Sequence, residues 1–530
     1  MPTHHGISRS GRASASSLLT RDQRRVLAGV CIVVGASTTV PASYNFVVVP
    51  MLEGLGASET QNSILRELPS IAGLLVIFLA GTLGQRWGER RFITRCGILF
   101  TVGNAAVLVA PVMAVAVAGL VLESIGATGF IVVGLALLSA RVSDERARAS
   151  AFSTYGTVGP IVYLVVPLLA GALLDFGNWR LVAAVWALSG LVILVASRTY
   201  LPAAEGPRES RELLTPALAG VLMAAAVQTL NALNRDGLLS VSAMVRLGIV
   251  ALGSAALFWA LRHVESPSLS LAALGQGGMY LLLIIVILMS FANLWFYMTV
   301  GLQYLYGLNA FETALALLPA QAAAIAGAVI TRWLLRRRGI TVAGSVMLLG
   351  LAMSLLLSAL ISSGSPLWVP LVLTCFYAVT SVGAGIPLTN AVMDLAPQGE
   401  EGSASAFRSA AGNIGGAVGV IVMTTIVFGA FSASLASALE DEGLNSQQSV
   451  QIAETIRDGV TSEDVAANYA VPLQQVEQIA DAQREAMIDG LRAHGVSGAA
   501  FTGVCLVIFV WSRRKQEQDS VGSVAAADTK

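Results

Sequence analysis

Long apolar runs separated by short polar turns recur along the chain from residue 26 to residue 512. Each is long enough to cross a ~30 Å hydrocarbon layer as a helix. In lipid the backbone must satisfy its own hydrogen bonds, so such runs have to be helical. The pattern predicts an all-α polytopic membrane protein. Spans are expected near residues 26–50, 63–84, 92–110, 112–140, 150–174 and 181–198, then a shorter pair at 213–233 and 238–261. Six more follow at 277–302, 312–334, 340–362, 366–391, 403–430 and 494–512, which makes fourteen. The expected divisions are an N-terminal tail (1–25), a first six-helix half (26–200) and an inserted pair with its flanking loops (201–275). A second six-helix half (276–512) and a C-terminal tail (513–530) complete the chain.

The polar turns differ in charge. Arg21, Arg24 and Arg25 precede the first span, and Arg86, Arg90 and Arg91 follow the second. Arg141, Arg146 and Arg148 follow the fourth, Arg336, Arg337 and Arg338 the tenth, and Arg513, Arg514 and Lys515 the last. With an even number of spans all of these lie on one side. Short cytoplasmic loops collect basic residues, so both termini are expected in the cytoplasm and the chain in the plasma membrane. One long loop, residues 431–493, falls on the outside and holds eleven acidic residues against three arginines. A helix-like stretch ending at Pro472 suggests a small external cap.

Composition narrows the function. Only 12% of residues are charged, against about 25% in a soluble domain. Formal net charge is zero, which gives no reason to expect nucleic acid. Cys31, Cys96, Cys375 and Cys505 all fall in apolar runs and read as small buried hydrophobes. The histidines, His4, His5, His263 and His494, are expected in tails or loops, and no metal-spaced cluster or nucleophile set is present. The only lysines, Lys515 and Lys530, lie outside any phosphate-binding loop, which excludes ATP-driven transport by that motif. An enzyme, a cofactor and a metal are therefore not expected.

Two stretches echo one another: GTLGQRWGERR (81–91) and GAVITRWLLRR (327–337). Both follow a span running in the same direction, as in transporters built from repeated halves. The first resembles the cytoplasmic loop motif of the major facilitator superfamily at Gly81, Leu83, Arg86, Gly88, Arg90 and Arg91. Its echo carries Arg332, Arg336 and Arg337. The stretch 159–180 is similar to the family's fifth-helix antiporter motif at Gly159, Pro160, Pro167, Gly171, Asp175, Trp179 and Arg180, with Gly156 one turn earlier. Residues 307–319 and 387–419, together with the six-two-six arrangement, resemble the fourteen-helix drug:proton antiporter branch. The resemblance implies the major facilitator fold, alternating access, and arginines that latch the inner ends of the halves, with Asp144 and Glu145 as candidate partners. The other reading of the arginines is plain positive-inside anchoring.

Three positions depart from the branch. Gln85 stands where the loop motif usually has Asp, the first span (ASTTVPASYNFVVVP, 36–50) has no acid, and Leu120 replaces a usual arginine in the fourth span. Glu123 instead sits near the middle of that span. A charged acid there costs at least ~2.5 kcal/mol, which makes Glu123 a candidate proton carrier, or else a neutral acid bonding a neighbouring helix. Arg66 and Glu67, early in the second span, either line a cavity mouth or sit at the interface. Asp175, Glu312 and Asp394, at span ends, read as solvated or capping.

By the resemblance, the first and fourth spans of each six line a central cavity. Its polar and aromatic candidates are Tyr44, Asn45, Phe46, Asn293, Trp295, Phe296, Tyr297 and Tyr377, with Asn293 and Tyr297 expected on one helical face. Aromatic faces with a lone carboxylate suit amphipathic or cationic organic molecules. The expected function is proton-coupled export of such compounds by a monomer among membrane lipids. The alternative is export of a native lipid or metabolite with different or no proton coupling.

Overall fold

The computed structural model describes residues 19–57, 59–142, 144–203, 212–236, 241–264, 268–269, 274, 278–441, 445–457 and 473–527. These residues are almost wholly helical. Helices α1 (Arg21–Ser37) and α2 (Thr39–Gly54) form the first span, followed by α3 (Glu59–Trp87), α4 (Glu89–Leu108), α5 (Met113–Arg141), α6 (Glu145–Leu174) and α7 (Arg180–Thr199). The inserted pair is α8 (Leu214–Asp236) and α9 (Val241–His263). The rest comprises α10 (Met279–Met289), α11 (Leu294–Tyr306), α12 (Ala310–Ala316), α13 (Leu318–Ser358), α14 (Trp368–Asp394), α15 (Glu401–Asp441), α16 (Ser446–Arg457) and α17 (Leu473–Ala527).

Against the expected fourteen crossings, the described residues hold 12 helices long and apolar enough to cross a membrane. The difference has two sources. The tenth and eleventh expected spans run together as the 41-residue α13, which breaks at Gly339 with φ 78°. Only glycine adopts that backbone without strain. The first inserted helix is the other: its apolar part, Leu214–Leu230, is shorter than a full span.

Both halves interrupt their first span. Between α1 and α2, Pro41 has no N–H to offer the carbonyl of Ser37. The hydroxyls of Ser37 and Thr38 fold back on the Val34 carbonyl at 2.9 and 2.7 Å. In the second half a short 3-10 turn, Ser290–Ala292, precedes Asn293, whose extended backbone (ψ 90°) ends one helix and starts the next. Interrupted spans in corresponding positions are where repeat-built transporters place their binding sites.

One apolar core runs through α1 to α7 and takes in Ala219 and Met223 of the insert, while a second runs through α10, α11, α13 and α14 and reaches α17. The region expected as an external loop is mostly helix. Helices α15 and α17 continue past their spans and pack with α16 through Leu435, Leu439, Ile452, Ile456 and Ile479. Pro472 lies outside the described residues.

The insert is accommodated because its two ends meet. Glu212 accepts hydrogen bonds from the backbone N–H and hydroxyl of Thr215, and from the Ser268 N–H at 2.9 Å. Ser268 in turn donates to the Glu212 carbonyl at 2.7 Å. Helix α8 then lies directly on α3, where a Cβ on Gly220 would meet the Leu75 carbonyl at 2.2 Å. Helix α9 is turned outward, with Leu252, Phe258 and Trp259 exposed.

Partial burial raises the Glu212 carboxyl, but the bonds from Thr215, Ser268 and Leu214 outweigh it and hold the group below its ordinary value. A depressed folded-state value means stability present above the unfolded value and lost as pH falls through the folded one. Glu212→Gln is therefore expected to lower stability by on the order of 1 kcal/mol at neutral pH. The deficit should shrink as pH drops into the carboxylate range. Thermal unfolding of both proteins in nanodiscs across pH 3–8 checks this.

Candidate functional site

Glycines place Glu123. Helix α5 packs on α4 backbone to backbone, so that a Cβ on Gly119 would lie 2.5 Å from the Gly103 carbonyl, and one on Gly126 would lie 2.7 Å from the Cys96 carbonyl. Glu123 falls between these glycines on the helix. The next face of α5, carrying Leu120, Ser124, Ala127 and Thr128, opens onto a cavity of about 520 Å3 that Glu123 also lines. Ser37 and Thr38 at the interruption of the first span contribute to the same wall, with Tyr44 and Asn45. Glu123 is only 7% exposed, and among the described residues no basic side chain forms an ion pair with it. The cavity thus joins a buried acid, an aromatic face and an amide.

The remaining sequence candidates are placed differently. Phe46 is half-buried and does not line this cavity. Neither does Glu67, although its neighbours Leu65 and Pro69 do. The Arg66 side chain lies outside the described residues.

In the second half, Asn293 and Tyr297 do not share a helical face, because Asn293 is the extended residue before α11. Asn293 is exposed and Tyr297 is buried. The Tyr297 hydroxyl lies 3.1 Å from that of Thr424, and its ring packs on His494 at 4.7 Å. His494, expected in a loop, is fully buried in α17. Tyr377 is also structural: its hydroxyl accepts the Leu294 N–H at 3.2 Å, capping α11, and its ring meets Trp295 edge-on at 6.1 Å. Phe296 is half exposed.

The two halves meet at the arginine-rich end. A Cβ on Gly81 would lie 2.7 Å from the Gly402 carbonyl, so α3 and α15 touch through bare backbone. One turn on, the Gln85 amide donates to the Gly399 carbonyl at 2.8 Å. Ser405 donates to the Val132 carbonyl at 2.8 Å, and Arg336 donates to the Ser150 hydroxyl at 3.1 Å. Gly88 shapes the turn with φ 82°.

The ionic latch differs from the expected one. Asp144 spends its carboxylate capping α6 through the Ala147 N–H, and the Glu145 side chain lies outside the described residues. Instead Arg148 pairs with Asp394, which is therefore neither merely solvated nor a cap. Chain positions so remote from one another carry no local signal that they pair. Arg337 stacks over Trp333 at 5.0 Å.

Along α6, Gly156 lets Ile386 approach, where a Cβ would lie 2.9 Å away, and Gly171 does the same for Phe311 at 3.1 Å. Gly159 meets nothing within 4 Å, so it is not a packing glycine. Pro160 and Pro167 lie inside the helix, where each removes a backbone bond. A further charged residue within a span, absent from the sequence candidates, is Arg408 in α15.

Comparison with known proteins agrees with this architecture. Residues 27–420 match the family described as Major Facilitator Superfamily. The chain is 27% identical over 475 residues to multidrug resistance protein Stp of Mycobacterium tuberculosis, covering 86% of this chain and 85% of that one. It is 24% identical to methyl viologen resistance protein SmvA of Salmonella typhimurium, covering 87% and 92%. Among solved structures, human organic anion transporter MFSD10 (TETRAN) superposes with a TM-score of 0.61 at 14% identity, over 92% of this chain and 100% of that chain. The E. coli fucose:proton symporter FucP does so at 0.56 and 10%, over 93% and 99%. At such identities the structural likeness concerns the fold.

Spin labels at Arg91→Cys and Gln398→Cys, read by electron–electron resonance, would report the separation of the halves at the arginine-rich end. Asp394→Asn and Arg148→Gln are each expected to shift the population toward a wider separation by roughly tenfold, about 1.4 kcal/mol. The double variant should add little to either single one, because both remove the same pair.

Proposed function

We propose that this chain, which belongs to the Major Facilitator Superfamily, exports amphipathic or cationic organic compounds across the cytoplasmic membrane in exchange for protons. As a member of that family it is a membrane transporter and not an enzyme. The observation that carries the finer reading is Glu123, buried at membrane depth yet lining a cavity with Tyr44 and Asn45. The similarity to Stp and SmvA, both named as resistance proteins, supports the same substrate range.

The chemistry follows from charge. An uncompensated carboxylate at this depth is costly, so Glu123 is held neutral by a proton or balanced by a cation. A cationic substrate resting on the Tyr44 ring beside Glu123 takes the place of the proton. Proton and substrate then compete for one acid, and each occupant carries the site through the change of access in its own direction. With both termini cytoplasmic, the arginine-rich end is the inner gate, and its cross-half bonds describe a molecule closed toward the cytoplasm. Helices α2 and α11 pack within their own halves, which leaves the opposite side as the cleft's mouth. The chain works as a monomer surrounded by lipid.

A second reading, export of a native lipid or metabolite with different coupling, is favoured by the missing acid in the first span and by Gln85 at the inner gate.

Uptake of ethidium into inside-out vesicles under an imposed pH gradient tests the proposal. Wild type is expected to accumulate the dye. Glu123→Gln should lose gradient-driven uptake at least tenfold while keeping dye exchange between equal compartments. Equal gradient-driven uptake in both proteins removes Glu123 from coupling, and no uptake by folded wild type sinks the cationic-compound reading.

A further inference from the structure

We infer that Arg408, where α14 and α15 of the second half face Tyr155 of α6 in the first, is a binding site for the carboxylate or phosphate group of an amphipathic ligand. Arg408 lies within the apolar part of α15, about 10 Å along the helix from its start at Glu401. It is half-buried. Its Nε donates to the Thr389 hydroxyl of α14 at 3.0 Å. Across from it stands Tyr155 of α6, which packs against the cores of both halves. Gly402 and Ser405, the residues that seal the arginine-rich end, are one to two turns before it on the same helix. The guanidinium therefore sits just above the closed gate, where two helices of the second half face one of the first.

Nothing in this setting balances its charge. Among the described residues no carboxylate pairs with Arg408; its partners are a neutral hydroxyl and a neutral phenol. The acid at the end of α14, Asp394, is already engaged by Arg148. A cation inside a membrane span without a counter-charge is costly, and such residues mark ligand paths rather than packing. Thr389 fixes Nε, which leaves the two terminal nitrogens of the planar fork to take a carboxylate or phosphate side-on. The Tyr155 ring beside it suits the apolar body of an amphipath.

The inference rests on the reading of the cleft as the transport path, so its test is binding rather than transport. Full-length wild type, Arg408→Gln and Arg408→Lys in phosphatidylcholine nanodiscs are titrated with dansylamino-undecanoate, with empty discs as background. Wild type should bind saturably and be displaced by laurate but not by dodecyltrimethylammonium. Arg408→Gln should weaken binding at least tenfold, with Arg408→Lys between the two. Discs containing phosphatidylglycerol separate the sources: binding abolished there makes a lipid headgroup the occupant, and binding retained makes it a dissolved amphipath. Absence of saturable binding by wild type, equal affinity in Arg408→Gln, or equal displacement by the cation overturns the site. If Arg408→Gln does not fold, the displacement selectivity of wild type decides alone. Failed anion binding with intact ethidium export removes only this site; lost ethidium export with intact anion binding removes only the proposed cationic substrate range.

Discussion

The approach of α3 to α15 at Gly81 and Gly402 is the contact on which the closed end of the molecule depends. A Cβ on Gly81 would lie 2.7 Å from the Gly402 carbonyl, closer than any side chain allows. With backbones this near, Gln85 reaches the Gly399 carbonyl and Ser405 reaches that of Val132. Neutral groups bonded to backbone carbonyls lose little when the end opens, because water replaces each bond at small net cost. The ion pair of Arg148 with Asp394 stands apart from these on α6 and α14. Closure is thus divided between a steric fit that needs glycine and a charge pair that water can weaken. Gln85 fits that division, since it keeps a hydrogen bond where an acid would have added a second charge.

The interruptions of the first spans serve the same economy at the membrane's middle. In α1–α2 the break follows from Pro41, which withholds an N–H from the Ser37 carbonyl, while the hydroxyls of Ser37 and Thr38 bond the Val34 carbonyl one turn earlier. In α10–α11 the Leu294 N–H would be orphaned, and the Tyr377 hydroxyl takes it. The two halves solve one backbone problem with different side chains. The consequence is asymmetric: the first half keeps Tyr44 and Asn45 on its cavity wall, while the second uses Tyr297 and Tyr377 to hold itself together. An aromatic residue in a cavity-lining span is therefore open to ligand only where the local backbone makes no claim on it.

This asymmetry also explains what was legible in the sequence. Helix class, the insert and the arginine-rich turns follow from hydropathy and charge, both local properties, and the family resemblance follows from short motifs. Glu123 was legible because depth in a span can be counted along the chain. The pairing of Arg148 with Asp394, and of Gln85 with Gly399, depends on which helix ends meet, and no local pattern encodes that. Asn293 and Tyr297 read as one helical face only while the span is taken as continuous. The region 431–493 reads as a loop with one helix-like stretch for a related reason: its acidic, low-hydropathy sequence marks where apolar spans end, which is not where the helices end. Arg408 lies nearer the start of its span and inside a stretch that reads as family motif, so depth alone did not single it out.

Glu123 and Arg408 together impose a condition on any cycle of alternating access. Each of these groups lies within a membrane-spanning helix, one in each half, of opposite sign and without a charged partner among the described residues. When a cleft opens to one side, water screens both groups and either can stand charged. When the halves close over an occluded site, the screening is withdrawn and an uncompensated charge opposes closure by a few kcal/mol. A proton or cation on Glu123 removes that opposition on one side, and an anionic group on Arg408 removes it on the other. Occlusion is then easiest for a loaded molecule, and that difference between loaded and empty states is the differential interaction a conformational change requires. On the proposed reading, coupling arises from charge compensation at two separate points, without an acid in the first span or an arginine at Leu120 in the fourth.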